Sequence, residues 1–112
     1  MTVNVLGRWT VQNPDQGQDL ENDNVRLLVG GLYHFLAGGY VNIDLIFRDS
    51  AGQQHPEKWV GRFQVTDNDV IEIDYVAGPR ERFRSEVNGQ LLRESTTRPN
   101  VAEGSLILLR SS

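Results

Sequence analysis

In Tyr40-Val-Asn-Ile-Asp-Leu-Ile-Phe-Arg48 apolar and polar residues take turns, with Val41, Ile43, Leu45 and Phe47 on one side and Asn42, Asp44 and Arg48 on the other. A period of two is the pattern of a strand with one buried face, because successive side chains point to opposite sides of the pleat. The alternation recurs along the chain. Trp59, Phe63 and Val65 alternate with Arg62 and Gln64, then Ile71, Ile73 and Tyr75 with Glu72 and Asp74, then Phe83 and Val87 with Arg82, Arg84 and Glu86. Residues 90–96 and 105–110 read as two further strands, and Val3, Val5, Gly7, Trp9 and Val11 mark a first one over residues 3–12. Turn-forming residues stand between the segments, at Gly38-Gly39, Asp49-Ser50-Ala51-Gly52, Gly78-Pro79 and Asn88-Gly89.

Two segments are less regular. Residues 14–24 are polar and acidic and read as a loop. Residues 25–36 fit two templates: Val25, Leu28, Val29, Leu32 and Leu36 have helical spacing, but Gly30-Gly31 would cost a helix about 2 kcal/mol. A kinked strand is predicted here, with a short helix over residues 20–29 as the alternative. The sum is about eight short strands and almost no helix, which predicts one all-β domain over residues 1–112: an antiparallel up-and-down β-barrel, whose closure removes exposed edges.

Register follows from parity, since a slip of one residue moves every side chain to the wrong face. A loop at Asp67-Asn68-Asp69 pairs Phe63 with Ile73 and Val65 with Ile71. A loop at Gly78-Pro79-Arg80 pairs Tyr75 with Phe83 and Ile71 with Val87. A two-residue Asn88-Gly89 turn of type I′ pairs Val87 with Gln90, Ser85 with Leu92 and Arg84 with Arg93. Phe63, Ile73, Tyr75, Phe83, Val87 and Leu92 then share the inner face, and Arg62, Asp74, Arg84 and Arg93 form a row on the outer one.

Composition narrows the function classes. With 38% apolar and 23% charged residues, 112 residues carry enough apolar surface for a small core, which excludes a disordered or collagen-like chain. No run of about 18 apolar residues exists, so no membrane span is expected. The N-terminus lacks a basic start followed by an apolar stretch, so a cytoplasmic location is the expectation. The absence of cysteine excludes disulfides, thiolate metal sites and a cysteine nucleophile. A net charge of −4 argues against general nucleic-acid binding. His34 and His55 are too few for a zinc site without carboxylates, and Asp15, Asp19 and Asp23 lack the order of a calcium loop. Asp44, Asp74 and Glu57 are candidates for an acid–base pair whose mutual distance the sequence leaves open. No phosphate loop, nucleophile elbow or dinucleotide fingerprint is present, so no catalytic residue, metal or cofactor is predicted.

Leu6-Gly7-Arg8-Trp9 on the first strand resembles the Gly-x-Trp signature that opens lipocalins and related calycin barrels. That resemblance implies an eight-stranded up-and-down barrel, with Trp9 closing one end and Arg110, near the end of the last strand, packing across its ring. It also implies a non-enzymatic module that binds a small apolar or amphipathic molecule inside the barrel. The candidate lining is Trp59, Phe47, Phe63, Tyr75 and Phe83, whose rings all alternate inward; the competing reading is a core packed solid by those rings. The rival function is protein interaction, as an inhibitor or an oligomerising accessory protein that meets a protein partner or a second copy of itself. Two features carry it: the long connection over residues 95–104, and the outer face bearing Arg62, Arg82, Arg84 and Arg93. Arginine outnumbers lysine ten to one, with Lys58 the only lysine, and its planar guanidinium suits such a recognition surface.

Overall fold

The computed structural model describes residues 4–12, 18–21, 24–66, 69–76, 80–96 and 106–111. They form nine strands: β1 Gly7–Val11, β2 Gln18–Glu21, β3 Asn24–Leu36, β4 Tyr40–Arg48, β5 Gln54–Thr66, β6 Val70–Tyr75, β7 Arg80–Ser85, β8 Gln90–Thr96 and β9 Ile107–Arg110. Each strand from β3 to β9 pairs antiparallel with its neighbour in sequence, and β1 bridges β9 and β3, so eight strands close into an up-and-down barrel. The alternation of β4 is reproduced residue by residue, with 41, 43, 45 and 47 buried and 42, 44, 46 and 48 exposed. Tyr33 packs edge to face on Phe83 at 5.5 Å, so rings of β3 and β7 meet across the interior, and Phe35 packs on Phe63, two strands along the same wall, at 5.0 Å.

Residues 25–36 are strand throughout, and the predicted kink is a register shift between Leu28 and Gly30. Gly31 faces inward: a Cβ there would stand 2.7 Å from Leu45 and 2.9 Å from Val11, so only glycine lets the wall close at this point. The polar stretch expected to be a loop contains β2, which continues the line of β1 along the same edge of β3. Its pairing is supplied by β3, and its own side chains carry no periodic signal, so sequence reasoning missed it. The strand predicted from Trp59 starts five residues earlier at Gln54, because β4 offers it a partner as far as Arg48.

That extension sets the shape of one end. β5 pairs with β6 only from Gly61 onward, while residues 54–60 continue beside β4. β2 to β5 therefore overhang β6 to β9. Phe63 donates its N–H toward the β4 side, to Gly39, and Val60 accepts on the β6 side, from Val76. By that alternation the missing N–H of Pro56 falls on the overhanging edge, where a proline blunts strand pairing.

Two hairpins depart from the predicted register. The turn before β8 has three residues, not two: Ser85 pairs with Leu91, Glu86 with Gln90 exchange a main-chain bond of 2.8 Å, and Gly89 sits at φ 86. This is a type I turn closed by a left-handed glycine, the other common solution for a short hairpin. The one-residue change turns Val87 out to solvent and Leu92 to the outer face, and turns Leu91 and Arg93 inward. Between β6 and β7 the parity holds but the pairing slides by four residues, so that Ile71 faces Phe83 and Ile73 faces Glu81. The first shift turns Arg93 into the barrel, and the second sets the inward-facing Glu81 beside Ile73.

Candidate functional site

At one end the N-terminal segment is strapped across the barrel. The Arg110 guanidinium lies 4.4 Å above the Trp9 ring and donates to the main-chain oxygens of Leu6, at 2.6 Å, and Asn4. The Trp9 indole N–H donates to the Val5 oxygen at 2.8 Å. Gly7 is required by both of its neighbours' geometry: its φ is 121, and a Cβ would approach the Arg110 guanidinium to 3.0 Å. The Gly-x-Trp motif is thus a backbone passage for the arginine plus a platform beneath it.

In the middle of the barrel stands a polar cluster. Glu81 and Arg93, 2% and 5% exposed, are joined by an ion pair of 3.1 Å. The hydroxyls of Tyr33, at 3.1 Å, and Tyr75 both donate to the other oxygen of the Glu81 carboxylate. A buried carboxylate holding three donors is well compensated, and each donor is anchored on a different strand: β3, β6 and β8.

Toward the overhanging end, the inner face of β5 presents His55, Glu57 and Trp59, all half-buried. Opposite them on β4 lie Phe47, Leu45 and Ile43. Trp59 meets Tyr75 nearly at right angles, with ring centroids 5.7 Å apart, and its indole N–H donates to Glu57 at 3.2 Å. His55 bonds Asp49 at 2.7 Å. The same Asp49 carboxylate accepts the N–H groups of Ala51, at 3.0 Å, and Gln53, at 2.9 Å, which closes the β4–β5 turn. These bonds, the one from His55 foremost, hold the Asp49 carboxyl below its usual range.

The predicted lining residues therefore separate by depth. Phe47, Tyr75 and Phe83 are buried, Trp59 stands at the overhanging end, and Phe63 packs on Phe35 further toward the strapped end. The predicted outer arginine row loses Arg93 to the interior. Arg62 stays outside over the Tyr40 ring at 5.3 Å. Arg82 pairs with Glu72 at 3.5 Å and Glu94 at 3.3 Å, and Arg84 with Asp69 at 3.4 Å and also with Glu94. Arg80, in place of Arg84, reaches Asp74 at 3.0 Å. Acidic neighbours thus already occupy the guanidinium groups of Arg80, Arg82 and Arg84, which weakens the case for an anion-recognising surface. The bond to Glu94 also raises the Arg84 pKa.

Asp44 and Asp74 point outward and Glu57 inward, so the three carboxylates proposed for acid–base work do not converge. Among the described residues no three His, Asp or Glu side chains gather as a metal site. Of the connection over residues 95–104, residues 97–104 lie outside the described residues, as do Val3, Asp15 and Asp23. Sequence reasoning missed Glu81. Its parity with Phe83 was the available signal, since residues two apart on a strand share a face. No protein-family model, curated protein or solved structure matches this chain.

Proposed function

We propose that this chain is a lipocalin-like, non-enzymatic binding module that takes a small apolar or amphipathic molecule at the overhanging end of the barrel. The observation that carries this reading is the connection from surface to interior: half-buried Trp59 packs on Tyr75, and the Tyr75 hydroxyl bonds the buried Glu81 carboxylate. An apolar wall with a few convergent polar groups is the usual make-up of a small-ligand site. Arg110 and Trp9 strap the opposite end, which leaves the overhang as the route of entry.

Titration of the intrinsic tryptophan fluorescence with a panel of lipids, retinoids and porphyrins tests the proposal. A saturable change with one class is the expected result. A flat response across the panel overturns it.

A further inference from the structure

We infer that the ligand's polar head is a neutral hydroxyl, phenolic before aliphatic, that donates its hydrogen to Nδ1 of His55. This assignment rests on the overhanging end being the ligand's entry. His55 stands half-buried on the inner face of β5, in the part of that strand that has no β6 partner. Its Nε2 lies 2.7 Å from Oδ2 of Asp49, while Oδ1 of the same carboxylate accepts the N–H groups of Ala51 and Gln53. The Asp49 carboxyl is held below its ordinary range, so at neutral pH it is ionised and can only accept. The single hydrogen of a neutral His55 ring therefore sits on Nε2, which leaves Nδ1 as an acceptor.

No described residue bonds that nitrogen, and solvent reaches it: Thr66 Oγ1 is the only buried side-chain nitrogen or oxygen among the described residues that lacks a partner. An acceptor fixed in this way selects among heads by the hydrogens they offer. A carboxylate or an ether brings acceptors only. An ammonium brings three donors to a single acceptor and must give up water for the others. A hydroxyl brings one donor, and that of a phenol is the stronger because it is the more acidic. The bond to Asp49 serves this selection twice, since it holds the ring in place and holds it in one tautomer.

Nitrogen NMR of the full chain at about pH 8, above the ordinary imidazole value of about 6.5, reads the tautomer and follows titrations with para-butylphenol and para-butylanisole. The two compounds differ only in a methyl group that replaces the donated hydrogen, and an apolar pocket alone favours the anisole. The expected result is a hydrogen on Nε2 of His55 before ligand is added, and phenol binding about tenfold tighter than anisole. The His55 Nδ1 resonance should move with the phenol and not with the anisole, while those of His34, on the outer face of β3 between buried Tyr33 and Phe35, stay in place. His55→Phe, which keeps a ring and removes the acceptor, should abolish the ratio. Anisole binding as tightly as the phenol, a ratio that survives His55→Phe, a hydrogen on Nδ1, or an Nδ1 resonance unmoved by bound phenol overturns the hydroxyl assignment while the binding module stands. The readings on the unaltered chain decide this whether or not the variant folds. If neither compound binds, the assignment falls, and the module falls with it only where the lipid, retinoid and porphyrin panel is flat as well.

Discussion

Arg93 and Arg84 lie on adjacent strands of one sheet, and each is paired with glutamate, yet they occupy opposite sides of the barrel wall. The Arg93–Glu81 pair is sealed in the interior, with two tyrosine hydroxyls completing the carboxylate's bonds. Arg84 and Arg82 share Glu94 outside, where the side chains remain partly in water. The two sets have the same chemistry and unequal consequences. Water and salt can replace a lost partner outside, whereas inside nothing can, so removal of one partner leaves a charge in a medium that does not solvate it. The interior pair acts as a constraint on register, because only one alignment of β6, β7 and β8 brings Tyr75, Glu81 and Arg93 together.

Five substitutions separate the sets, beginning with the interior. Arg93→Met should lower stability by about 3–5 kcal/mol in urea denaturation, since it strands the Glu81 carboxylate. Adding Glu81→Gln, which keeps an acceptor for the tyrosines and removes the charge, should recover part of that loss; a double variant no more stable than the single one would show that stranded charge is not the cause. Arg110→Ala, at the strapped end, should cost about 1–2 kcal/mol through the lost ring contact and the bonds to Leu6 and Asn4, and should shift Trp9 emission.

Glu94→Gln, on the outer face, should produce a smaller loss that fades in about 1 M salt, as exposed pairs do. If it matched Arg93→Met, the distinction between the two faces would collapse. Asp49→Asn should have the smallest effect, and one confined by pH. The Asp49 carboxyl is depressed in the fold, so its contribution is present above the ordinary aspartate value of about 3.9 and is lost as the pH falls through the lowered value. Melting curves of the two proteins should differ above that window and converge below it.

The fold was largely legible in the alternation of β4, β5 and β6, because each buries one face and the pairing of Phe63 with Ile73 leaves little freedom. The strapped end was legible as well, through Trp9 and Arg110. The polar cluster was not. Arg93 alternates with Leu92 and Glu94 in a way that suits either face, and the length of the Asn88-Gly89 turn decides which one. Asn-Gly serves a two-residue turn with both residues at positive φ and also a three-residue turn with Gly89 alone left-handed. Local sequence favours the first, while the register of β7 against β8 selects the second.

By itself, then, the sequence determined the periodicity and hence the all-β antiparallel class and the inward rings. These follow from the pleat and from steric rules that act within a few residues. Tertiary structure alone decided that β2 exists, that β5 overhangs its neighbours, and that Glu81 and Arg93 lie inside. A charged side chain near a parity boundary takes its face from the register of strands distant in sequence, and only closure of the barrel brings its partners into place.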